Sequence, residues 1–343
     1  MRIALVGGGT GGHVYPNFAL LNGLKTKFDK VFYIGEKGKL EERLSKEKDI
    51  PFYSIVAPKL IRGKIIENFT ILHKFFSAVK QAVEILEEIK PNVIFCKGGY
   101  VCLPVVVAAR GLDIPCVLHE SDKTYGLANK LSYPFCQKAL LGFPKKLRKK
   151  EEYVGNPIRE ELLTGTKISF FNNRRPTILF LGGSLGAKEI NDIAKDFYLH
   201  FKENFNVLLV SGKTGANLAM DGILEMTYCD NMGDLLNSCD FIVSRGGANA
   251  LTEIITLKKP SVIFPLLSSV SRGDQIDNAK YYSKMGLIFL HNHKLRKIQD
   301  ISEEIADFYY KKAHLCENLA NFNFPKSNEL IIKNILDCVK IKV

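Results

Sequence analysis

The sequence of 343 residues lacks tryptophan and lacks any apolar run of about 18 residues, so it offers no candidate membrane-spanning helix. Its N-terminus enters an apolar segment at once, without the basic and apolar regions of a secretory leader. The eight cysteines form no Cys-X-X-Cys pair, which argues against zinc sites and disulfides. These absences, with 46% hydrophobic and 24% charged residues, predict a globular cytosolic protein with reduced thiols.

The charge of the chain is biased, with a formal net charge of +12. An anionic membrane surface, phosphate-bearing substrates and nucleic acid all fit such a balance. Nucleic acid is the least favoured, because helix-turn-helix signals and interleaved basic and aromatic residues are missing. His291 and His293 have no Cys or carboxylate close by in the sequence, so we expect a surface turn there rather than a metal site.

Apolar strand-like runs alternate with helical patterns along the whole chain. The predicted strands are 2–6, 31–34, 52–55, 92–96, 115–118 and 138–141, followed by 177–181, 206–211, 240–243, 261–264 and 286–290. Continuous apolar runs are typical of parallel strands that are covered on both faces. The pattern therefore predicts two successive doubly wound α/β domains, with 142–166 as the crossing between them.

Each series opens with a strand that leads into a glycine-rich turn and then a helix. The two openings are LVGGGTGGHVYP (5–16), with a helix predicted from 13 to 28, and TILFLGGSLGAKEIN (177–191). Backbone N–H groups in such turns favour anionic ligands. Two Rossmann-like domains bind ligands in a cleft at the carboxyl ends of their strands. A final helix, about 326–341, has an apolar stripe that we expect to pack on the first domain.

The first turn leaves two classes of enzyme open. Gly7, Gly9 and Gly12 satisfy the GxGxxG pattern and Glu36 suits a ribose, so a nicotinamide or flavin enzyme is one alternative. The segment 244–278 favours a nucleotide sugar instead. Its glycine turn suits a diphosphate, and a carboxylate and an amide on successive helices suit sugar hydroxyls.

Seven ordered motifs extend this interpretation over essentially the whole chain. They are GGGTGGHVYP (7–16), KGGYV (97–101), HESD with GLANK (119–122, 126–130), GNPIR (155–159), GGSLGAK (182–188), SRGGANALTEI (244–254) and DQIDNA (274–279). With these motifs the chain resembles the MurG family of peptidoglycan N-acetylglucosaminyltransferases.

The resemblance implies a GT-B fold, in which two Rossmann-like, doubly wound parallel-sheet domains face each other across a cleft. The first is expected over 1–157, with the helix at about 326–343 packing back on it, and the second over 158–325. The implied activity is that of an inverting hexosyltransferase without an obligatory cofactor or metal. It moves GlcNAc from UDP-GlcNAc to the C4 hydroxyl of MurNAc in lipid I, giving lipid II and UDP.

The resemblance also implies the site residues. Those that contact UDP-GlcNAc are expected to be Thr10, Gly11, Gly12, Asp122, Arg159, Ser184, Cys229, Ala248, Asn249, Ala250, Leu251, Thr252, Glu253 and Gln275. Glu253 would bind the ribose and Gln275 the GlcNAc hydroxyls, while Asp122 stands where many members have Asn. His13 is the first candidate for the general base, with Glu120 and Asp122 as alternatives. A purely local role for His13, as a cap of the loop or a ligand of acceptor phosphate, stays open.

The lipid acceptor implies a peripheral protein on the cytoplasmic face of the bacterial inner membrane. The anionic leaflet and other cell-wall synthesis proteins are the candidate partners there, and nucleic acid is not. Within 58–76, Leu60, Ile61, Arg62, Lys64 and Ile65 are the predicted membrane-association residues. The helical stripe Phe69, Leu72, Phe76 and Val79 is expected to belong mostly to the core. The basic run 145–150 by itself is expected to be a solvated segment.

Three alternatives to the transferase are weighed. A UDP-sugar epimerase shares the two-domain architecture but needs no acceptor, and a dinucleotide-dependent oxidoreductase would respond to its cofactor. A non-catalytic nucleotide-sugar or lipid-binding protein would have the pocket without the base.

Overall fold

The computed structural model describes residues 1–59, 71–183, 186–212, 215, 219–229, 231–266, 272–291 and 297–340. The chain divides into two compact units. Unit 1 comprises Met1–Arg159 and Pro325–Val343, and unit 2 comprises Glu160–Phe324. Within the described ranges, no helix has the length and apolarity needed to cross a bilayer.

Unit 1 is built on a parallel sheet that has seven strands in the described residues. The strands are β1 (Arg2–Val6), β2 (Lys30–Gly35), β3 (Phe52–Ser54), β4 (Val93–Cys96), β5 (Cys116–Glu120), β6 (Lys138–Leu141) and β7 (Glu151–Tyr153). Their order is β3-β2-β1-β4-β5-β6-β7. The order reverses between β1 and β4, and the carboxyl ends at such a switch point are where open α/β sheets bind ligands.

The helices of unit 1 cover both faces of this sheet. They begin with α1 (Gly11–Ala19), α2 (Leu21–Lys25), α3 (Leu40–Glu47), α4 (Ile71–Ile89), α5 (Cys102–Gly111) and α6 (Leu127–Ser132). Helices α4 and α5 share one apolar core with alternate residues of the strands, whereas α2 lies in the core on the other face. The central strands are buried throughout, which explains why they read as continuous apolar runs.

Unit 2 repeats the plan. Its strands are β8 (Thr177–Leu181), β9 (Asn206–Val210), β10 (Ala219–Met220), β11 (Ile223–Met226), β12 (Phe241–Ser244), β13 (Ser261–Ile263) and β14 (Phe289–Leu290). Its helices are α7 (Glu160–Leu163), α8 (Lys188–Phe201), α9 (Met232–Ser238), α10 (Ala248–Thr256), α11 (Asp274–Lys284), α12 (Ile298–Tyr310) and α13 (Ala313–Asn321). The strand order is β10-β11-β9-β8-β12-β13-β14, so the order reverses between β8 and β12.

The last helix, α14 (Ser327–Lys340), belongs to unit 1. Ile331 and Ile335 are fully buried in the core that also contains Leu5 and Phe95. The amide of Asn334 donates to Glu152 Oε1 at 3.1 Å and so ties this helix to β7. The apolar stripe read from the sequence is the face that packs on the sheet.

Some expectations about elements were wrong. Strands β7, β10 and β11 were missed, and β10 pairs antiparallel with β11, so the second sheet is not wholly parallel. These strands have two to four residues and lie at or next to a sheet edge, where the continuous apolar run of a central strand is absent. The helix expected over 13–28 is two helices, α1 and α2, and Pro16 lies inside the first.

Two surface expectations were also wrong. Leu72 and Phe76 on α4 are 68% and 63% exposed, so this part of the stripe is not core. His291 is buried, stacks on Phe264 at 4.1 Å and has its Nδ1 atom 2.5 Å from Glu304 Oε2, so it does not lie on a surface turn. Most of the basic run 145–150 is exposed, as expected, although Lys145 pairs with the buried Glu151 at 3.3 Å.

All eight cysteines are free of disulfide bonds in this structure, and six of them are buried. Cys316 is exposed and Cys229 is half-buried.

Candidate functional site

The first glycine turn leaves β1 and enters α1 at the switch point of unit 1. Gly9 has a φ of +94°, a region that favours glycine, and Thr10 is the extended residue that precedes α1. The hydroxyl Oγ1 of Thr10 lies 3.2 Å from His13 Nδ1, while the His13 backbone N–H donates to Thr10 O at 3.0 Å. Thr10 and Gly12 are exposed, and Gly11 and His13 are half-buried. The imidazole is therefore oriented by its own turn and accessible at the carboxyl end of the sheet.

A second glycine pair, which follows β4, packs against this turn. Gly98 and Gly99 have φ values of +108° and +87°. A Cβ atom on Gly99 would lie 2.3 Å from Gly8 O, and one on Gly98 would lie 3.2 Å from His13 Cδ2. Only glycine allows the two turns to approach this closely, so the KGGYV segment packs beside the His13 ring. We call Gly98 and Gly99 the glycine wall.

Glu120 ends β5 and is buried, with both carboxylate oxygens occupied. Oε1 accepts from Asp122 N–H at 3.0 Å, and Oε2 accepts from Gly126 N–H and Asn129 Nδ2 at 2.9 Å each. Asn129 also donates to His119 O at 3.2 Å, and its Oδ1 atom lies 3.1 Å from the Cβ position of Gly98. The HESD and GLANK segments thus meet the glycine wall through Asn129.

Two further titratable side chains, Lys97 and His119, are buried next to these segments. Lys97 Nζ is 2.7 Å from His119 Nδ1 and also contacts Ser121 Oγ. Burial lowers the pKa of Lys97 to about 7, although Glu120 and Asp122 act in the opposite direction. Burial and the neighbouring Lys97 hold the pKa of His119 well below its usual value, so this imidazole is neutral.

Glu36, the candidate ribose ligand of the dinucleotide alternative, already has partners. The Tyr100 hydroxyl donates to Glu36 Oε2, and Lys59 Nζ lies 3.6 Å from the same oxygen. Lys59 also lies 4.6 Å from the centre of the Tyr100 ring.

Arg159, the last residue of the first segment of unit 1, lies over the Tyr15 ring at 5.2 Å. Its guanidinium is thereby directed at α1, the helix that begins at the first glycine turn.

In unit 2, the turn after β8 has the same design as the first one. Gly183 and Gly186 have φ values of +85° and +79°, and a Cβ on Gly182 would lie 2.4 Å from Ala187 N. Ser184 lies outside the described residues. The turn leads into α8, where Glu189 accepts a hydrogen bond from Arg245 Nη2 at 2.7 Å. Arg245 therefore links the end of β12 to the start of α8.

The Arg245 side chain also has a buried donor, Nε–H, that these contacts leave unused. Its Nη1 atom donates to Phe264 O at 3.1 Å, whereas Nε is buried without a hydrogen-bond partner in the described part of the chain. A buried unpaired donor is unfavourable unless a ligand or water satisfies it.

Helix α10 divides the predicted nucleotide residues between two faces. Asn249, Ala250 and Glu253 are half-buried and accessible. Ala248, Leu251 and Thr252 are buried, and Thr252 Oγ1 donates back to Ala248 O at 2.9 Å. The resemblance implied that all of 248–253 contact the nucleotide, whereas the helical period turns half of these side chains into the core.

Helix α11 packs against the start of α10. A Cβ on Gly246 would lie 2.7 Å from Gln275 O, and Gln275 Oε1 accepts from Leu266 N–H at 3.0 Å. This contact brings the SRGG and DQIDNA motifs together at the carboxyl ends of β12 and β13. Cys229 is half-buried shortly after β11 and packs against the core beside β9. The predicted membrane residues Leu60, Ile61, Arg62, Lys64 and Ile65 lie outside the described residues.

Sequence reasoning missed Lys97, Tyr100 and Asn129 as parts of the site. The motifs KGGYV and GLANK contain all three, but a motif does not tell which of its side chains turn inward. The tertiary contacts of the two glycine turns supply that information.

Comparisons with known proteins agree with this architecture. The model of the glycosyltransferase family 28 N-terminal domain matches residues 3–141, and that of the family 28 C-terminal domain matches 177–335. In the solved structure of Acinetobacter baumannii MurG the fold agrees with a TM-score of 0.78, at 22% identity over 98% of this chain and 99% of that one. The two units thus define a glycosyltransferase of the GT-B fold.

Two relatives with assigned names indicate which family of glycosyltransferases the chain belongs to. An enzyme of Clostridium botulinum (strain Alaska E43 / Type E3) is 38% identical over 99% of this chain and 98% of its own length. One of Clostridium perfringens (strain 13 / Type A) is 39% identical over the same shares. Both are named UDP-N-acetylglucosamine--N-acetylmuramyl-(pentapeptide) pyrophosphoryl-undecaprenol N-acetylglucosamine transferase. The chain belongs to this family of transferases, the MurG family, which confirms the resemblance carried by the motifs.

The epimerase alternative has weaker support. The UDP-GlcNAc 2-epimerase of Neisseria meningitidis matches with a TM-score of 0.67 at 16% identity, over 98% of this chain and 100% of that one. At that identity the likeness shows the fold alone.

Proposed function

We propose that this protein transfers GlcNAc from UDP-GlcNAc to the C4 hydroxyl of MurNAc in lipid I, with inversion at the anomeric carbon, to give lipid II and UDP. The family supports the reaction. The observation that carries the assignment to this chain is the placement of His13, oriented by Thr10 and walled by Gly98 at the switch point of unit 1.

His13 acts as the general base in this proposal. Inverting transfer is a single displacement, in which the acceptor hydroxyl loses its proton as it attacks C1. A base that works through Nε2 has its own proton on Nδ1, and Thr10 Oγ1 at 3.2 Å accepts that proton in a hydrogen bond. Histidine suits this role in general, because its ordinary pKa of about 6.5 lies closer to physiological pH than that of the other common side chains.

Glu120 is assigned a positioning role instead of that of the base. To take up a proton it would have to give up hydrogen bonds from Asp122, Gly126 or Asn129. The carboxylate shapes the loop that presents Asp122, and Asp122 with Thr10, Gly11 and Gly12 contacts the sugar substrates.

Unit 2 is proposed to bind the donor. The N–H groups of the Gly182–Ala187 turn and Ser184 receive the diphosphate, and the unpaired Nε of Arg245 offers a further donor. Glu253 accepts from the ribose hydroxyls, and Gln275 contacts the GlcNAc hydroxyls.

Asn249 and Ala250 line the nucleotide, and Cys229 lies near the uracil. Ala248, Leu251 and Thr252 contribute through backbone and shape because their side chains are buried. Arg159 approaches the uracil or the phosphates.

These donors stabilise the leaving diphosphate without an obligatory metal. If that is so, UDP release persists in excess EDTA at an undiminished rate. Loss of activity that Mg²⁺ restores would contradict this part of the proposal.

Unit 1 is proposed to lie on the cytoplasmic face of the inner membrane. The positive excess of the chain lies in unit 1, since unit 2 has about as many acidic as basic residues. Leu72 and Phe76 on α4 are exposed, and so are Leu127 and Leu131 on α6, while both helices pack against α5. Apolar side chains among lysines suit an anionic leaflet. The segment Leu60, Ile61, Arg62, Lys64 and Ile65 precedes α4 and is proposed to join it there.

The reaction is tested by UDP release from UDP-GlcNAc with and without a short-chain lipid I analogue. We expect release only with the acceptor. We expect His13→Ala to lower kcat by about 10²- to 10⁴-fold, the usual contribution of a general base. Release without acceptor, or a His13→Ala variant with normal kcat, would contradict the proposal.

A further inference from the structure

Lys97 is a buried lysine whose position in unit 1 is unexplained by the chemistry above. It follows β4 directly and its side chain is 1% exposed. Its ammonium contacts His119 Nδ1 and Ser121 Oγ, neither of which is an anion. Removing a charge from water is unfavourable unless it is well paired, so a lysine in this position lowers stability. A destabilising buried group is expected where activity depends on it, the usual trade-off between stability and activity.

The direction of the hydrogen bonds follows from His119. Its Nε2 atom is 2.9 Å from Gly155 O, and a carbonyl can only accept, so Nε2 has the proton. Because the imidazole is neutral, Nδ1 has a lone pair and accepts from Lys97 Nζ at 2.7 Å. The chain of hydrogen bonds from Lys97 through His119 to Gly155 joins the end of β4, the end of β5 and the turn after β7.

The same lysine borders the candidate site on two sides. The next residue, Gly98, forms the wall beside the His13 ring. Ser121, its second partner, lies between Glu120 and Asp122, and the Ser121 carbonyl accepts from Asn156 Nδ2 at 3.2 Å. A shift of Lys97 would therefore move Gly98, which packs beside the His13 ring, and the loop that contains Asp122.

We propose that Lys97 is a positioning residue for the transfer reaction: it fixes the Glu120–Asp122 loop and the Gly98 wall in one arrangement around His13, through His119 and Ser121. This inference rests on the proposed function, because it takes His13 and this loop to be the acceptor-side machinery.

The protonated lysine is the competent form. An ammonium donates shorter and stronger hydrogen bonds than a neutral amine. The groups that face Lys97 are His119 and Glu120 on β5, Ser121 and Asp122 after it, and the Cys102 thiol of α5. With a pKa of about 7, Lys97 loses its proton as pH rises through neutrality, and we expect kcat to fall on that side.

Stability has the opposite dependence on pH. The folded state binds this proton less tightly than the unfolded chain, whose lysine pKa is about 10.4. Between these two pKa values the unfolded state therefore binds more protons, and the contribution of Lys97 to stability rises with pH. A residue with no role in the reaction would show this stability slope without the matching fall in kcat.

The test compares Lys97→Met with Lys30→Met, a change at an exposed lysine at the amino end of β2. We expect Lys97→Met to lower kcat roughly 10- to 100-fold, the range for a lost hydrogen bond to a charged group. KM for UDP-GlcNAc changes less than kcat, since most of the proposed donor residues lie in unit 2, away from Lys97. In Lys97→Met, kcat no longer falls above pH 7. The free energy of unfolding also loses the rise between pH 7 and 10 that Lys97 supplies in the wild type. Lys30→Met matches the wild type in all of these.

Normal kcat with an unchanged pH profile in Lys97→Met would overturn the inference, whatever happens to the melting temperature. If Lys97→Met does not fold, Ser121→Ala replaces it, since that variant retains the lysine and removes one acceptor. There we expect a severalfold lower kcat and a displaced alkaline limb, and an unchanged profile would overturn the inference. Wild-type protein is assayed first: absence of acceptor-dependent UDP release would refute the proposed function and this inference together.

Discussion

At the scale of single residues, the orientation of His13 depends on one hydroxyl. Thr10→Val removes the group that lies 3.2 Å from Nδ1 and retains the shape of the side chain. We expect kcat to fall roughly 5- to 10-fold, because one hydrogen bond contributes about 1 kcal/mol to the ring's orientation. Thr10→Ser, which retains the hydroxyl, is the matched control and should stay close to wild type in steady-state kinetics. Equal rates for the two variants would exclude this role of the hydroxyl.

Glu120 offers a prediction about stability at the same scale. In the wild type, Gly126 N–H and Asn129 Nδ2 donate to a carboxylate oxygen of Glu120. The NH₂ group of Glu120→Gln cannot accept a hydrogen bond, so at least one buried hydrogen bond is lost. We expect the free energy of unfolding to fall by about 1–3 kcal/mol in urea denaturation. An equally stable variant with a large loss of kcat would instead favour Glu120 as the base, the alternative that the sequence left open.

At the scale of elements, the contact between two glycine turns is the feature most sensitive to substitution. Gly99→Ala places a Cβ 2.3 Å from Gly8 O on a residue with a φ of +87°. We expect thermal unfolding of unit 1 at a lower temperature, with a free-energy cost of at least about 1–3 kcal/mol. Gly111→Ala, at the end of α5, has open space around the new methyl and should be neutral or slightly stabilising. If Gly99→Ala and Gly111→Ala both unfold at the wild-type temperature, the two glycine turns do not lie as close together as described.

The elements also show what the sequence can and cannot predict. Central strands such as β1 and β4 are buried on both faces, so their apolar runs predicted them within a residue or two. The edge strands β7 and β10 were missed because they are short and unsupported by an apolar run. In the site, the motifs placed His13 and Gln275 at the right helix starts. The wall at Gly98 and the burial of Lys97 arise from contacts between distant segments, which no local pattern encodes.

At the scale of the whole molecule, the uneven charge and the exposed apolar side chains of unit 1 predict membrane binding. Leu72→Asp with Phe76→Asp should weaken sedimentation with anionic vesicles, since both side chains are mostly exposed on α4. Leu199→Asp, a similarly exposed leucine in unit 2, is the matched control and should bind as the wild type does. Vesicles without anionic lipid should bind all variants weakly. Undiminished binding by the double variant would exclude α4 as part of the membrane face.

The most direct measurement of the central claim identifies the product. The protein is incubated with UDP-GlcNAc labelled in the sugar and with a short-chain lipid I analogue, and the lipid fraction is analysed. We expect labelled disaccharide on the lipid in an amount equal to the UDP released, and no labelled product when the acceptor is left out. Labelled UDP-sugar of a different configuration, or free GlcNAc with unlabelled lipid, would contradict the assignment of a transferase.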